Sequence, residues 1–237
     1  MKSDPSVVSH FTTSVNRYSE HIPPQDEFSM AAFTSLADKQ LKVLEIGCGT
    51  GHRLEGLATY YPGFVLYGFD ITPAMIHTAC KIRPKGIGFM IGDCLQIPFD
   101  KGFFDAVIIY DILHHLVGGD KKESDKLREA GFRELLRILA PLGLIVFEEV
   151  CVNRKWRSNL ILWLSHALSK LHISIPVLNI NTDVVVNFYT LDELKETINR
   201  LNLVIVECEV VNFKDLGRWI STFGSFEYHM RYVLKRG

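Results

Sequence analysis

The feature that most constrains this fold is a glycine-rich turn between an apolar run and a helical pattern. It reads Val-Leu-Glu-Ile-Gly-Cys-Gly-Thr-Gly over residues 43–51. The apolar residues at its start are typical of a strand buried in a parallel sheet, and the glycines allow the backbone to turn sharply. From His52 to Tyr61 the apolar residues have helical spacing. A strand, a glycine turn and a helix N-terminus together present backbone N–H groups to a ligand.

The spacing of the glycines separates this turn from two other phosphate-binding motifs. The dinucleotide fingerprint G-x-G-x-x-G would need a small residue where the chain has His52, and no Lys-Ser or Lys-Thr pair follows as in a P-loop. The remaining pattern, Glu45-x-Gly47-x-Gly49-x-Gly51, resembles motif I of the class I S-adenosylmethionine (AdoMet) methyltransferases. This resemblance implies AdoMet as the cofactor.

The neighbouring elements continue the same resemblance. A second predicted strand ends at Asp70, close to the spacing of about 20 residues at which an acidic residue meets a ribose; the alternative is an N-cap carboxylate. A third strand over 86–91 precedes Asp93, and a fourth over 104–110 precedes Leu113-His114-His115-Leu116. In this order the motifs are similar to the family over about residues 43–149.

The resemblance implies a role for each matching position. The methionine part of AdoMet is assigned to Glu45, Gly47, Gly49 and Gly51, and the ribose hydroxyls to Asp70. The adenine amino group is assigned to Asp93, and the ring to the flanking residues Ile71, Met75, Cys94 and Leu95. Ile109 and Tyr110 are expected to line the opening for methyl transfer. Cys48 is expected to pack within the turn, since no base is evident beside it.

Two histidines are the candidate catalytic residues. The imidazoles of His114 and His115 titrate near neutral pH and could accept a proton from a methyl acceptor; the alternative is that one packs against AdoMet and the other meets water. Glu148 and Glu149 lie at the end of the fifth predicted strand, 144–147, and because strand residues alternate faces only one of them is expected to meet substrate. Glu148 is the candidate. No cluster with metal-ligand spacing is evident, so no metal is predicted.

The pattern of strands and helices predicts an α/β fold, and the resemblance implies a Rossmann-like, doubly wound, mostly parallel sheet of seven strands with an antiparallel edge strand. Residues 1–40 are predicted to form an N-terminal helical cap, which either closes the cofactor cleft through Arg17 and Tyr18 or only packs on the sheet. Residues 41–237 form the AdoMet-binding domain, with an apolar helical insert at about 153–189. A Thr190–Glu193 capping box predicts the helix that follows.

The insert predicts a lid over the substrate. Residues 158–178 carry a broad apolar face, which needs a partner surface. Trp163 and Leu164 are therefore expected to roof the substrate pocket, and the sequence also allows this face to form a homodimer interface. A membrane surface is the third alternative and is less favoured, because Lys170 is the one basic residue within this helix.

Composition limits the class of partner. The 237 residues carry a net charge of −1, which led us to expect no nucleic-acid partner, and no run is long enough for a membrane span. Five scattered cysteines without a signal peptide favour a reducing, cytoplasmic location. The predicted function is methyl transfer to an oxygen or carbon of a small apolar or aromatic molecule. The alternatives are a non-catalytic AdoMet-binding or assembly protein and, less favoured because of His52, an oxidoreductase.

Overall fold

The computed structural model describes residues 4–20, 27–171, 184–212 and 228–237. Seven α-helices lie within these residues: α1 Pro5–Glu20, α2 Glu27–Phe33, α3 His52–Tyr60, α4 Pro73–Ile82, α5 Lys121–Ile138, α6 Lys155–Leu171 and α7 Leu191–Arg200. The strands are β1 Lys42–Ile46, β2 Val65–Asp70, β3 Gly88–Ile91, β4 Phe104–Tyr110, β5 Leu139–Val152, β6 Tyr189–Thr190, β7 Leu203–Asn212 and β8 Tyr228–Arg236. Short 3₁₀ turns span Thr34–Leu36 and Leu113–His115.

The strands form one mostly parallel sheet in the order β3-β2-β1-β4-β5-β8-β7, and the short β6 pairs with β5. β8 runs antiparallel to both β5 and β7. The Rossmann-like fold class is therefore confirmed. The antiparallel strand, however, lies inside the sheet, and the edge beyond it is β7.

The alternation of side chains along the strands places a separate core on each face of the sheet. Val43 joins one core with helices α2 and α3, and its neighbour Leu44 joins the other core with helices α5 and α7. Both residues are fully buried. Covering both faces with helices leaves the carboxyl ends of the parallel strands as the open edge, where such folds bind ligands.

Two predicted elements differ in length from the observed ones. β5 begins at Leu139, before the predicted start of the strand. Residues 140–143 form a bulge between the pairs Phe104–Leu139 and Ala106–Leu144, so the strand continues across them. The apolar helix of the insert is α6, which begins at Lys155. The predicted end of this helix, 172–178, lies outside the described residues, as do residues 179–183 of the insert. The Thr190–Glu193 capping box is present and opens α7.

None of the helices described here has the length and apolar character needed to cross a bilayer.

Candidate functional site

A cavity of about 480 Å³ opens at the carboxyl ends of β1, β2 and β4. It brings together most of the residues singled out in the sequence: Tyr18, Glu45, Gly47, Cys48, Gly49, Asp70, Ile71, Met75, Cys94, Tyr110, His114, His115 and Glu148. It also includes residues without a clear sequence signal: Val7, Phe11, His52, Arg53, Asp111, Ile112 and Phe188. These side chains come from elements far apart in the chain, so only the fold assembles them.

The glycine turn leaves room for a ligand at one position in particular. Gly47, Gly49 and Gly51 have φ values of +68°, +53° and +78°, a region that favours glycine. A Cβ on Gly47 would overlap Ile112, whereas a Cβ on Gly49 would have no atom within 4 Å. The space beside Gly49 therefore belongs to the cavity, while Gly51 caps helix α3 and does not line it.

Asp70 ties the turn to the end of β2. Its Oδ2 accepts a hydrogen bond from Gly49 N at 2.9 Å, and its Oδ1 accepts one from Thr72 N at 2.8 Å. Burial raises the pKa of this carboxyl, while the same two backbone donors act in the opposite direction. A carboxylate oxygen can accept more than one hydrogen bond, so Asp70 can hold the turn and still meet a ribose diol.

A buried charge pair lies beside the turn. Arg53, one residue into helix α3, donates to Glu45 and stacks over the Tyr110 ring at 4.0 Å. Glu45 is only 2% exposed. A zwitterionic ligand could meet a cation and an anion here, and Arg53 was missed because one Arg on a helix has no distinctive sequence signal.

Helix α1 roofs the cavity with Val7, Phe11 and Tyr18. The helix is held down by hydrogen bonds from the Thr50 hydroxyl to Tyr18 O at 3.4 Å and between His52 Nε2 and Ser19 O at 2.9 Å. The Phe11 ring meets His115 edge-on, with the centroids 5.3 Å apart. The roof of the cavity is therefore formed by the N-terminal segment.

The two histidines both line the cavity, on the 3₁₀ turn after β4. Their ring centroids lie 4.1 Å apart. Nδ1 of His114 lies 2.5 Å from Oε1 of Glu149, which does not line the cavity and is fully buried. Burial lowers the pKa of both imidazoles, that of His114 to about 3, so both rings are neutral near pH 7. Glu148 faces the cavity and Glu149 faces away from it, as strand alternation predicts.

Burial also raises the pKa of Glu149 to about 8, opposed by N–H donors from Leu113 and Val150 and by the charge of Arg128. The pair of His114 and Glu149 therefore holds one proton between Nδ1 and Oε1 at neutral pH.

A second group of charges joins the end of β4 to β8. Glu148 pairs with Arg231 at 2.5 Å and with His229 at 3.4 Å, and His229 also lies 3.6 Å from Asp111. Asp111 has a φ of +54°, and burial together with Glu149 and Glu148 raises its pKa well above the ordinary value. This strand end therefore gathers carboxyl groups beside the cavity, and their proximity favours the protonated form of Asp111.

Two triplets of described side chains bring potential metal ligands within 4.8 Å of one another: Asp111, Glu148 and His229, and Asp111, His114 and Glu149. Their carboxylates and imidazoles already pair with one another and with Arg231. We assign no metal to either triplet, and the expectation that none is required stays a prediction.

The side predicted for the adenine is apolar. Met75 is 1% exposed and lines the cavity with Ile71, Phe69 and Cys94. Asp93 does not line the cavity itself, but it lies between two residues that do, and it accepts a hydrogen bond from Leu95 N at 2.9 Å. Leu95 packs against the core instead.

Three further predicted positions lie away from the cavity. Ile109 is 1% exposed within the core, because its neighbour Tyr110 takes the cavity side of the strand. Trp163 is 65% exposed and neither it nor Leu164 lines the cavity, which corrects their expected place in the pocket roof. Helix α6 instead turns Leu162 inward, against Val117 and Val185.

The cysteines at the cavity are poor nucleophiles. Burial raises the pKa of Cys94 to about 12, and burial with the nearby charge of Glu45 raises that of Cys48 well above its usual value. Packing is the role that these thiols can fill.

Known proteins resemble part of this chain in sequence. A family model described as a methyltransferase domain matches residues 44–147. A tRNA (carboxymethyluridine(34)-5-O)-methyltransferase of Arabidopsis thaliana is 29% identical over 56% of this chain and 30% of its own length. An 18S rRNA (guanine-N(7))-methyltransferase of Bos taurus is 41% identical over 36% of this chain and 30% of its own. A demethylmenaquinone methyltransferase of Roseiflexus castenholzii is 31% identical over 48% of this chain and 44% of its own. The chain thus matches less than half the length of these relatives.

Solved structures match the fold over nearly the whole chain. The DhpI-SAM-HEP complex has a TM-score of 0.59 at 19% identity and covers 97% of this chain and 96% of its own. The complex of the Haloferax volcanii Trm112 methyltransferase activator has a TM-score of 0.63 at 15% identity, covering 97% and 96%. Residues 44–147 therefore match a methyltransferase domain, a class whose cofactor is AdoMet, and the chain shares its fold with these solved structures.

The prediction that excluded nucleic acid is wrong. It used the net charge of the whole chain, which averages over the surface and does not report a local site. Two relatives are named as tRNA and rRNA methyltransferases, and one structural neighbour is a complex with the Trm112 activator.

The residues of the cavity fit AdoMet. The open space beside Gly49 admits a ligand against the backbone of the turn, and Asp70 lies within the same cavity. Arg53 and Glu45 offer the opposite charges that a methionine carboxylate and ammonium require. Met75 and Ile71 offer an apolar surface for a ring.

Proposed function

We propose that this protein transfers the methyl group of AdoMet to an oxygen or carbon of a small apolar or aromatic acceptor. The observation that carries the proposal is the lining of the cavity, which brings the glycine turn and the two imidazoles together with residues of helix α1. Its volume of about 480 Å³ lies within the range of about 300–1,000 Å³ for small-molecule sites.

The protein's task in such a reaction is to hold, orient and exclude water, because AdoMet supplies an already activated methyl group. Arg53, Glu45 and the glycine turn hold the methionine end, and Asp70 holds the ribose. Phe11 and Phe188 cover the histidine end and favour an apolar acceptor. A proton lost by the acceptor goes to an imidazole, and His114 and His115 are the groups in reach.

Calorimetry and a labelled-methyl assay test this proposal. We expect AdoMet and its demethylated product to bind, and NAD not to bind. With methyl-labelled AdoMet, the acceptor panel is catechol, reduced demethylmenaquinone, total tRNA and ribosomal RNA. Label in catechol or the quinol supports the proposal, whereas label found only in RNA overturns the small-molecule acceptor and favours the RNA activity named for two relatives.

The histidines are tested in the same assay. Replacing the imidazole that acts as the base by Ala should lower kcat by about 10²–10⁴-fold, with little change in AdoMet affinity. An unchanged kcat in both His114→Ala and His115→Ala would remove the histidines from the reaction and leave alignment of the two substrates as its only catalytic device.

A further inference from the structure

We propose that Glu149 is a positioning residue that makes His114, rather than His115, the proton acceptor in methyl transfer. This inference rests on the proposed function and narrows its acceptor to one that loses a proton, such as a hydroxyl. Nothing in the sequence separated the two histidines, and Glu149 had no role beyond an alternative to Glu148.

The geometry distinguishes the two imidazoles. Oε1 of Glu149 lies 2.5 Å from Nδ1 of His114. Among the residues that the structure describes, Nε2 of His114 has no hydrogen-bond partner, and the ring lines the cavity. His115 has no carboxylate partner of this kind in the described part of the chain, and the Phe11 ring packs on it in a T-shaped contact.

Glu149 is itself held in place by the backbone. Its Oε2 accepts a hydrogen bond from Leu113 N at 2.9 Å, and its Oε1 accepts one from Val150 N at 3.1 Å. The carboxylate therefore cannot turn away from His114 without losing bonds to two buried donors, and a buried donor left without a partner is costly. On the other side, the Phe188 ring lies 5.0 Å from the His114 ring and limits its movement.

The contact with Glu149 decides which nitrogen of the His114 imidazole carries the hydrogen. A neutral imidazole carries one N–H and one lone pair. When ionised Glu149 accepts the Nδ1 proton, the lone pair is on Nε2, the nitrogen left for the cavity. When Glu149 is protonated, it donates to Nδ1 and Nε2 carries the hydrogen, so the ring cannot accept another proton.

The reaction then balances in one step. The acceptor oxygen forms a bond to the methyl carbon, while the bond from that carbon to sulfur breaks and its electron pair stays on sulfur. The acceptor's hydroxyl proton passes to Nε2 of His114. The nearby carboxylate of Glu149 stabilises the resulting charge, and the proton leaves to water with the product.

Several charged or titratable groups face this pair and set its pH dependence. His115 lies against His114 from the same turn, with His10 of α1 beyond it, and Asp111 approaches from the end of β4. Arg128 of α5 faces Glu149, and Cys151 and Tyr189 lie on β5 and β6. The pair titrates as a unit, and because Glu149 has a pKa of about 8, the base form grows as the pH rises through that value.

Nuclear magnetic resonance tests the pair without any acceptor. The full chain, labelled with ¹⁵N in its histidines and saturated with S-adenosylhomocysteine, is titrated from about pH 6 to about pH 9, a window centred near the pKa of the pair. The His114 signal is identified by its absence in His114→Gln. We expect Nδ1 to carry the proton at the upper end of the titration and Nε2 to carry it at the lower end.

Glu149→Gln should abolish this titration of His114, and Glu149→Asp, which is one methylene too short to reach Nδ1, should do the same if the first variant does not fold. Glu55→Gln removes a carboxylate that pairs with Arg83 outside the cavity and should leave the signal unchanged. A His114 that keeps its proton on Nε2 throughout, or that titrates as before without Glu149, overturns the proposal.

Kinetics with a panel acceptor then separates positioning from a structural role. Glu149→Gln should lower kcat by about 10²-fold and remove the rise with pH, while KM for AdoMet stays the same. In a His114→Gln background the same change should cause no further loss; a second full loss overturns action through His114. If the resonance result holds but no panel acceptor is methylated, the pairing stands and the proposed function fails instead.

Discussion

At the scale of single residues, the cavity depends on a few groups that each hold the backbone and face the ligand. Asp70 is the clearest example, since its two oxygens bind the amides of Gly49 and Thr72. Such a residue couples the shape of the glycine turn to the end of β2. Removing it therefore affects both the ligand and the loop that receives the ligand.

Asp70→Ala should weaken AdoMet binding by about 1.5–3 kcal/mol, the usual cost of losing hydrogen bonds to a charged group. Calorimetric titration measures the change. Asp38→Ala, which removes an exposed carboxylate before β1, is the control and should bind as the parent does. Equal affinities in all three proteins would show that AdoMet does not use this end of the cavity.

Gly49→Ala should weaken AdoMet binding because the new methyl group enters open space that belongs to the cavity. Gly102→Ala is a matched control. Gly102 also has a positive φ, +72°, and the nearest atom to a Cβ added there would lie 3.9 Å away, but Gly102 does not line the cavity. Both variants carry backbone strain of about 1–2 kcal/mol, measured by urea unfolding. Only Gly49→Ala should lose affinity for AdoMet. An equal loss in Gly102→Ala would mean that backbone strain, and not the space beside Gly49, causes it.

At the scale of elements, helix α1 covers the cavity and α6 does not. α1 places Phe11 against His115 and is fixed to the glycine turn through Thr50 and His52. The described part of α6 buries Leu162 and leaves Trp163 outside. Of these two helices, α1 is therefore the one placed to affect the binding and release of a ligand.

Phe11→Ala should speed the release of AdoMet, because it removes an aromatic contact of the roof worth about 0.5–1.5 kcal/mol, or about two- to twelvefold in rate. Stopped-flow displacement with S-adenosylhomocysteine measures it. Trp163→Ala deletes an aromatic side chain of similar apolar character that is 65% exposed and should leave the release rate unchanged. Faster release from Trp163→Ala together with an unchanged rate for Phe11→Ala would instead indicate that α6 covers the ligand.

At the scale of the whole molecule, ionisation of buried groups makes stability depend on pH. The pKa of Glu149 is about 8 against an ordinary value of 4.5, so the fold favours its protonated form. Its contribution is fully present below about pH 4.5 and is lost as the pH rises through about 8. His114, with a pKa lowered to about 3 from 6.5, behaves in the opposite sense: its contribution is present above 6.5 and is lost as the pH falls toward 3.

Glu149→Gln removes only the first of these two effects. The free energy of unfolding of this variant, relative to the parent, should therefore increase by about 2–4 kcal/mol between pH 5 and pH 8. Urea unfolding at the two pH values measures the difference. An equal difference at both would mean that Glu149 is ionised in the fold throughout this range.

The sequence predicted the parts of the molecule that depend on local patterns. The glycine turn, Asp70 and the Thr190 capping box are read from spacing, because a turn, a strand end and a helix start have short-range signals. Arg53, Phe11 and Phe188 were missed because they reach the cavity only through tertiary packing. The apolar character of α6 was recognised, but which of its sides faces inward is decided by Val117 and Val185, which are distant in sequence.

The position of β8 has a consequence for how the chain is made. Residues 228–236 follow β7 in the chain, yet they lie between β5 and β7, so β7 leaves the ribosome before the strand with which it pairs. The strands that carry the cofactor end of the cavity can already be paired at that stage. Glu148 meets Arg231 only when β8 is inserted. Until β8 is made, β5 and β7 are therefore exposed edges that invite association with other nascent chains.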